Sequence, residues 1–409
     1  MIQPSLACRS CDASGLLPIL NLGCTPLANA LLTSEQLNQA EETFPLKLVF
    51  CPRCSLVQIT ESVSPEKLFR EYFYASSFSE TMLNHAKALA VEITADRQLD
   101  QQSLVIEVAS NDGYLLQYYK QINVPVLGIE PAENIAHLAR TKRGIETISE
   151  FFGSALADKL AAEGKQADVI HAHNVLAHVP DLNGVVRGFR SLLKPRGVAV
   201  IEVPYVKDMI DKSEFDTIYH EHLCYFSLTA LNQLFARHDL TITKAERVAL
   251  HGGTLRVYAE PGEWAAGKSV TELLAEEKGW VLNQDFYQGF EQKVETLRRD
   301  LVELLRSLKA SNHRIAVYGA SAKGSTMLNY FGIGRDLLDF VVDRSTVKQG
   351  RYTPGTQLPV VAPEKLLEEM PDYVLLLTWN FADEILKQQA EYRARGGRFI
   401  IPIPQVKLV

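Results

Sequence analysis

Residues 105–116 read Val-Ile-Glu-Val-Ala-Ser-Asn-Asp-Gly-Tyr-Leu-Leu, and this stretch decides the fold. A short apolar run is followed by small and polar residues and then by an apolar helical pattern. This order predicts a buried parallel strand that turns tightly into a helix. At such a junction the small-residue loop lets a ligand approach the backbone, and the helix presents unpaired N–H groups. The predicted cofactor-binding residues of this junction are Glu107, Ala109, Asn111, Asp112, Gly113, Tyr114 and Leu115.

A second acidic strand end follows in residues 127–131, Leu-Gly-Ile-Glu-Pro. Glu130, with Pro131 next to it, stands at the distance from the first junction at which an acidic residue binds the two hydroxyls of a ribose. After a third apparent strand come Phe151 and Phe152, which are equally consistent with an aromatic wall beside an adenine and with a pair of core residues. The pattern predicts a nucleoside-shaped ligand.

Two further strands are predicted at residues 167–174 and 198–203. The first ends in Asn174 and leads into a loop that carries His178. Parallel strands whose carboxyl ends carry polar residues in this order resemble the fold of S-adenosylmethionine (SAM) methyltransferases. We therefore expect an α/β fold with a Rossmann-like middle domain that binds SAM.

The glycine pattern of the first junction departs from the common one. Ala109 and Asn111 stand where that fold usually carries glycines, and only Gly113 remains. A pyrophosphate would fit this loop badly, because it needs close backbone approach. Taken alone, the glycine signal also allows an ordinary nucleotide-binding fold with another ligand.

Length and composition limit the class of protein. The chain has 409 residues, which suggests two to three domains, and it is 46% hydrophobic and 22% charged, as globular proteins are. A net charge of −7 argues against a nucleic-acid or membrane-surface partner. No run is long enough to span a bilayer, and the N-terminus lacks the pattern of a signal peptide. We expect a cytoplasmic protein, provisionally a monomer, that binds a small molecule.

Two Cys-x-x-Cys pairs occur near the N-terminus, and two such knuckles give four thiolates to one tetrahedral zinc. Cysteines of a cytoplasmic protein are reduced or bound to metal rather than joined as disulfides. Four sulfur ligands leave no open position, so the zinc is expected to be structural. Cys24 lies outside the pairs and is read as a buried small residue. The predicted metal ligands are Cys8, Cys11, Cys51 and Cys54.

Titratable side chains are concentrated after the strand that ends near residue 203, where Tyr219, His220, Glu221 and His222 follow one another. Histidine suits a general base, a carboxylate can fix its tautomer, and a tyrosine can donate to an oxygen that gains charge. A metal site is disfavoured, because side chains at i and i+2 do not share a helical face. The remaining alternative is a satisfied polar cluster.

Aromatic and hydroxyl side chains, Tyr72, Tyr74 and Ser76, precede a predicted helix and are read equally as packing or as a polar pocket. Residues 251–256 predict a glycine turn that opens a strand with Arg256, although Gly-Gly often only makes a hairpin. Residues 269–310 predict one or two long connecting helices.

A second strand, small-residue turn and helix start appear at residues 314–326 and predict a Rossmann-like C-terminal domain. Ser321 and Lys323 stand at its first turn, where a lysine suits an anion at a helix N-terminus. A further strand ends at Asp343. The alternative is a purely structural domain, since one lysine among small residues is not a specific phosphate signature.

Six motifs together resemble the three-domain C-methyltransferases that act on nucleotide-linked 4-keto deoxysugars. They are the paired Cys-x-x-Cys, Thr-Pro-Leu-Ala-Asn (25–29), the 107–116 junction, Tyr-His-Glu-His (219–222), His-Gly-Gly-Thr-Leu-Arg (251–256) and Tyr-Gly-Ala-Ser-Ala-Lys-Gly (318–324). The resemblance covers nearly the whole chain. It implies a zinc-binding domain at 1–75, a SAM-binding domain at 76–245 and a C-terminal domain at 246–409.

The same resemblance implies roles for single residues. His222 is the base, Tyr219, Glu221 and His178 orient the base and the ketone, and the family's N-terminal tyrosine is Tyr72 or Tyr74. The sugar nucleotide lies in the cleft between the middle domain and its neighbours, where Ser321, Lys323 and Asn329 either contact the diphosphate or only shape the cleft. The expected substrate-binding residues are Asn29, Ser76, Tyr205, His220, Arg256, Ser321, Lys323, Asn329 and Asp343.

Two rival functions remain open on the sequence. A SAM-dependent O- or N-methyltransferase, or one acting on a non-sugar ketone, would use the same cofactor site. A zinc-containing binding protein without activity would retain the fold as a relic, which the titratable cluster at residues 219–222 disfavours.

Overall fold

The computed structural model describes residues 7–69, 77, 80–250 and 252–409, and within them the strands form three sheets. Two predicted tyrosines, Tyr72 and Tyr74, and the predicted Ser76 lie outside these residues. The strands are β1 (Leu17–Pro26), β2 (Thr43–Phe50), β3 (Val57–Ile59), β4 (Val105–Val108), β5 (Val126–Ile129), β6 (Thr147–Ile148), β7 (Ala167–His173), β8 (Leu193–Pro204), β9 (Cys224–Tyr225), β10 (Leu240–Val248), β11 (Thr254–Pro261), β12 (Ile315–Tyr318), β13 (Val341–Val342), β14 (Val360–Val361), β15 (Tyr373–Leu376), β16 (Arg398–Ile401) and β17 (Lys407–Leu408).

The α-helices surround these sheets and connect them. They are α1 (Pro65–Phe69), α2 (Glu80–Arg97), α3 (Leu116–Gln121), α4 (Glu133–Arg143), α5 (Ser154–Ala162), α6 (Leu182–Leu192), α7 (Val206–Asp211), α8 (Leu228–Ala236), α9 (Lys268–Glu277), α10 (Gln284–Ala310), α11 (Ala322–Phe331), α12 (Lys365–Glu369), α13 (Ala382–Gln388) and α14 (Ala390–Ala394). Among the helices described, none is long and apolar enough to cross a membrane.

The first sheet has the strand order β1-β2-β3-β9 and is antiparallel. Its fourth strand comes from far along the chain, because Val57 of β3 is paired with Tyr225 of β9. The residues just before β9 are the titratable cluster at 219–222. The N-terminal sheet therefore fixes one end of that cluster.

The middle sheet has seven strands in the order β10-β11-β8-β7-β4-β5-β6. Pairing from β8 to β6 is parallel, whereas β10 and β11 form an antiparallel hairpin against β8. This arrangement confirms the predicted α/β, Rossmann-like fold. The predicted domain limit between residues 245 and 246 lies inside β10, so the hairpin spans that limit and β11 joins the middle sheet.

Both faces of the middle sheet are covered, which explains why its strands read as continuous apolar runs. Ile106, Val108 and Ile170 pack in the core that also contains the apolar face of α6, while Val105 and Val169 pack with α2 and α3. Burial on both faces leaves only the strand ends for polar groups. The cofactor loop is therefore confined to the carboxyl edge of the sheet.

The third sheet has the order β14-β13-β12-β15-β16-β17 and is parallel except at β17. The predicted connector is present as α9 and α10. The second of these helices has 27 residues, so it is about 40 Å long. Its Tyr287 stacks on Phe50 of the first sheet, with ring centroids 4.4 Å apart. The connector thus packs against the N-terminal sheet as well as joining two domains.

Candidate active site

A cavity of about 530 Å³ opens at the carboxyl ends of the parallel strands in the middle sheet. Its lining includes the loop after β4 and Glu130, the cluster residues His178, Tyr219 and His222, and Lys323 of α11. The cavity therefore brings together residues that the sequence assigned to cofactor, base and anion.

The loop after β4 has an unusual backbone. Ala109, Asn111 and Gly113 all have positive φ, at 51°, 49° and 78°. Left-handed conformations cost a residue with a Cβ about 1–2 kcal/mol, and asparagine tolerates them better than alanine. The loop thus keeps the conformation that glycines usually supply, although only one of the three residues is glycine.

Glu130 holds this loop in place. Its two carboxylate oxygens accept the backbone N–H groups of Asn111 and Ala132, each at 2.9 Å. Burial raises the pKa of Glu130 to about 7, against the opposing effect of these two amides. Each carboxylate oxygen has a second lone pair, so the group can also accept ribose hydroxyls.

Most of the predicted cofactor residues border the cavity. These are Ala109, Asn111, Tyr114, Glu130, Pro131, Phe151, Phe152 and Asn174. Phe152 also stacks on Phe189 with centroids 5.4 Å apart, whereas Phe151 is exposed, so the two phenylalanines do not form a core pair.

Four predicted cofactor residues lie behind the wall, among them Gly113. Leu115 is fully buried in the core, and Asp112 pairs with Arg143 at 3.2 Å. Glu107 is 1% exposed, and its Oε2 has no hydrogen-bond partner within the described ranges. Burial raises the pKa of Glu107 well above its usual value, which favours the neutral form of its carboxyl beneath the loop.

Substitutions in the loop should have opposite effects on stability. Ala109→Gly relieves a left-handed alanine and should leave the free energy of unfolding equal or raise it by up to about 1 kcal/mol. Gly113→Ala should lower it by about 1–3 kcal/mol, because the added Cβ would lie 2.6 Å from Ile145 Cδ1. Urea unfolding of both variants checks this. A strongly destabilised Ala109→Gly variant would show that the left-handed backbone at Ala109 is not strained.

His222 is held in one tautomer. Its Nδ1 lies 2.8 Å from the Thr217 carbonyl oxygen, which can only accept, so Nδ1 carries the proton and Nε2 carries the lone pair. The Tyr219 hydroxyl lies 2.9 Å from Nε2 and donates to it. A basic nitrogen and a phenol are therefore adjacent on the cavity wall.

His178 stands beside this pair, with its ring centroid 4.7 Å from that of His222. Its Nδ1–H donates to the Glu221 carbonyl at 2.7 Å, so its Nε2 is also an acceptor. Burial lowers the pKa of His178 to about 4. The imidazole is consequently neutral at physiological pH and cannot act as a cation.

Glu221 supports the site from behind the cavity wall. Its Oε1 accepts the side-chain amide of Asn29 at 2.7 Å, which joins the predicted 25–29 motif to the cluster at 219–222. Burial raises the pKa of Glu221 to about 7. Asn29, expected at the substrate, therefore contacts Glu221 instead and does not border the cavity.

A pH-dependent stability difference follows from Glu221. A carboxyl whose pKa rises from 4.5 to about 7 on folding stabilises most at low pH, and the contribution is lost as pH increases through this window. Glu221→Gln removes this titration. The free energy of unfolding of the variant, minus that of the unsubstituted protein, should therefore increase by up to about 3 kcal/mol from pH 4.5 to pH 8. Urea unfolding of both proteins across this range measures it. A constant difference would contradict the raised pKa.

Among the expected substrate residues, Tyr205 and Lys323 border the cavity. The Tyr205 hydroxyl donates its proton to Glu277 at 2.9 Å, so it is not available as a donor to a ligand. The Lys323 ammonium lies 4.5 Å over the Trp379 ring, whose Nε1–H donates to Asp216 at 2.7 Å. Lys323 is thus positioned as a cation facing the cavity.

Two expected substrate residues contact other parts of the protein and not the cavity. Arg256 is paired in register with Glu202 on β8, and its Nε donates to that carboxylate at 2.7 Å. His220 packs edge-on against Phe44 and lies 3.1 Å from the Pro45 carbonyl. Neither borders the cavity, because each side chain is buried against another element.

The remaining three expected substrate residues lie in α11, at its start or hydrogen-bonded to the loop before it. Ser321 is its N-cap and accepts the Gly324 N–H, Asp343 accepts the Ala320 N–H, and Asn329 donates to the Pro354 carbonyl. Local hydrogen bonds therefore occupy all three, and none borders the cavity. Ordinary capping and turn chemistry explains these residue types.

The cavity also has lining residues that the sequence did not predict, among them Glu214, Thr217 and His173. Thr217 acts through its backbone carbonyl, which fixes the His222 tautomer and carries no side-chain signal. His173 was read as part of a strand. Glu214 ends a polar run after α7, and no motif distinguishes it.

The four predicted zinc ligands converge. Their sulfurs all lie within 4.8 Å of one another, with Cys8 and Cys54 at 3.4 Å and Cys11 and Cys51 at 3.6 Å. A tetrahedral site with Zn–S bonds of about 2.3 Å places its sulfurs about 3.8 Å apart. The geometry fits one zinc ion. Cys24 is exposed, which corrects the expectation that it is buried.

Three family models match the chain. They describe a zinc binding domain over residues 8–69, a methyltransferase domain over residues 82–245 and a C-methyltransferase C-terminal domain over residues 249–404. The C-methyltransferase NovU of Streptomyces niveus is 35% identical over 413 aligned residues, covering 100% of this chain and 98% of that protein.

Other similarities cover only part of the chain. The ubiquinone biosynthesis O-methyltransferase of Bordetella avium is 34% identical over 95 residues, which is 23% of this chain and 39% of that protein. The SAM-bound structure of magnesium protoporphyrin IX methyltransferase from Synechocystis is 12% identical with a TM-score of 0.37, over 48% of this chain and 97% of that one. Because NovU is similar over the full length, the chain belongs to the family of SAM-dependent C-methyltransferases with an N-terminal zinc-binding domain.

Proposed function

We propose that this C-methyltransferase acts on a nucleotide-linked 4-keto deoxysugar and alkylates the carbon next to the ketone, with His222 as the base. One observation carries the proposal. The Thr217 carbonyl fixes the proton of His222 on Nδ1, so the basic Nε2 stands beside the Tyr219 phenol on the cavity wall. Methyl transfer to an oxygen or a nitrogen does not pass through a carbanion, so it needs no base that removes a C–H proton.

The reaction begins with removal of a proton. A carbon next to a ketone is weakly acidic, and His222 Nε2 takes its proton while the Tyr219 hydroxyl turns from Nε2 to the ketone oxygen and donates to it as negative charge develops. The imidazolium that forms keeps its Nδ1–H on the Thr217 carbonyl. The Glu221 carboxyl, held by Asn29, positions the backbone between the two histidines.

His178 has a different role in this scheme. Its neutral ring accepts at Nε2 and donates at Nδ1 to the Glu221 carbonyl. It therefore orients the sugar by accepting a hydrogen bond from a ring hydroxyl, rather than by neutralising the enolate.

The cofactor end of the cavity is suited to SAM. When bound, SAM supplies an electrophilic methyl group on a sulfonium. The left-handed loop at Ala109 and Asn111 would face the cofactor, Glu130 would accept its ribose hydroxyls, and Phe151 and Phe152 would stand beside the adenine.

Lys323 supports an anionic group on the substrate. Its ammonium forms no ion pair within 4.0 Å in the part of the chain that the structure describes, and it faces the cavity over Trp379. Lys323 lies near two buried carboxyl groups, Glu214 and Asp216, without forming a direct ion pair, so a diphosphate could still contact its ammonium. The position of Lys323 on α11, in another domain from the loop after β4, matches a substrate longer than a simple ketone.

Solvent exchange tests the carbon-acid step separately from methyl transfer. In deuterated buffer with S-adenosylhomocysteine and a nucleoside diphosphate 4-keto-6-deoxyhexose, the enzyme should exchange the proton next to the ketone, followed by NMR. The His222→Asn variant should not. Methyl transfer to an oxygen or nitrogen without any enzyme-dependent exchange would reject the proposal.

A further inference from the structure

Glu214 is a buried carboxylate on the cavity wall that no local structure requires. It is 5% exposed and borders the cavity, and its Oε1 has no hydrogen-bond partner among the described residues. No lysine, arginine or histidine lies within 4.0 Å of it in the same part of the chain. A buried carboxyl oxygen without a hydrogen-bond partner is costly, and a carboxyl group in this state on a cavity wall is a candidate to accept from a ligand.

Glu277 shows what a structural carboxylate looks like in this fold. It is fully buried, and it accepts from the Tyr205 hydroxyl, from the Leu228 N–H, and from both the N–H and the hydroxyl of Thr229. Those donors fix the start of α8. Glu214 has no comparable set of donors, so a structural role explains Glu277 and leaves Glu214 unexplained.

The backbone around Glu214 is shaped to receive its carboxyl group. Gly252 has a φ of 101°, and a Cβ there would lie 2.4 Å and 2.5 Å from the two Glu214 oxygens. Gly253, next in the chain, borders the cavity. Gly252 of the 251–256 motif is therefore needed for close packing against Glu214, whereas a Cβ at Gly253 would meet Asp208 instead.

Glu214 belongs to the same rigid turn as the proposed base. Its N–H donates to the Met209 carbonyl at 2.8 Å, and its own carbonyl accepts the Thr217 N–H at 3.2 Å. Thr217 in turn accepts from His222. The intervening Phe215 stacks on Phe331 of α11 with centroids 4.8 Å apart. A group bound by Glu214 would thus be held in a fixed relation to the base.

The charges around Glu214 favour a donor rather than an anion. Burial raises its pKa to about 7, and the nearby Lys323 ammonium opposes this while Asp216 and Asp208 add to it. Lys323 supplies attraction for an anion elsewhere on the ligand. A hydroxyl or amino group of a ligand would donate a hydrogen bond to the Glu214 carboxyl group without like-charge repulsion.

We propose that Glu214 selects the substrate by accepting a hydrogen bond from a hydroxyl or amino group on the sugar ring beside the ketone. This inference rests on the proposed function and adds the feature that distinguishes one keto sugar from another. A site built around an acceptor discriminates strongly against the analogue that lacks the donor, because the buried carboxylate is then left unpaired.

The test compares three nucleoside diphosphate 4-keto-6-deoxyhexoses: the 3-hydroxy compound, its 3-deoxy analogue and its 3-amino analogue. Glu214→Ala should lower kcat/KM by about 10–100-fold for the 3-hydroxy and 3-amino compounds and by less than about 3-fold for the 3-deoxy analogue. Glu214→Gln should retain more activity on the hydroxyl than on the amine, which separates the two donors. SAM affinity, measured by calorimetry, should be unchanged in both.

Glu263→Gln, on an exposed loop, is the matched control and should behave as the unsubstituted enzyme on all three compounds. Equal losses on the three sugars, no loss on any, or weakened SAM binding in both Glu214 variants would overturn the selection role. If the unsubstituted enzyme methylates none of the sugars, the proposed function fails and this inference fails with it. If it methylates them but the losses are uniform, only this inference fails.

Discussion

His222→Asn should lower kcat by about 10²–10⁴-fold while SAM affinity changes by less than about 2-fold. Asparagine can still donate its amide to the Thr217 carbonyl, which His222 Nδ1 contacts at 2.8 Å, so the local structure is preserved. What the variant lacks is the basic Nε2. Turnover is measured by mass spectrometry of the methylated product, and cofactor binding by calorimetry.

The control for this variant is His137→Asn, at an exposed position on α4, which should keep full turnover. Tyr219→Phe provides a second comparison, because it removes the phenol and leaves the basic nitrogen. It should lose less activity than His222→Asn. Normal turnover by His222→Asn would show that another group takes the proton.

Loss of zinc should have the largest effect on stability. Cys54→Ser removes one ligand of the closed four-sulfur site, and chelation removes the ion itself. Structural zinc contributes about 10 kcal/mol or more to the folding of small domains. The first sheet, β1 to β3, should unfold and become sensitive to protease. Because β3 pairs with β9, directly after the cluster at 219–222, activity should then fall as well.

Cys24→Ser is the matched control for zinc loss, since Cys24 is exposed and outside the cluster, and it should change stability by less than about 0.5 kcal/mol. The zinc content of each variant is measured by atomic spectroscopy and its unfolding by thermal scan. Chelation that removed zinc and left both the melting temperature and the protease pattern unchanged would contradict a structural metal.

Features determined by neighbours in the sequence were predictable. The strand and turn at 105–116 and the zinc site given by the Cys-x-x-Cys spacing were predicted, whereas the hydrogen bond by which Glu130 holds the loop was not. These signals work because strand burial, turn geometry and metal knuckles depend on residues a few positions apart.

Features determined by distant contacts were not predictable. Asn29 and Glu221 are 192 positions apart, and Arg256 meets Glu202 only because β11 pairs with β8. A polar residue in a motif can serve a ligand or another residue equally well, and the sequence does not distinguish these uses. The Gly252 contact with Glu214 likewise depends on how a hairpin packs against a turn.

The most direct test of the account is to incubate the purified enzyme with SAM and a panel of nucleoside diphosphate 4-keto sugars and analyse the products by mass spectrometry and NMR. The account predicts a sugar that gains one methyl group on the carbon beside the ketone, together with an equal amount of S-adenosylhomocysteine. Methyl addition to an oxygen or nitrogen, or SAM binding with no methylated sugar in the panel, would contradict it.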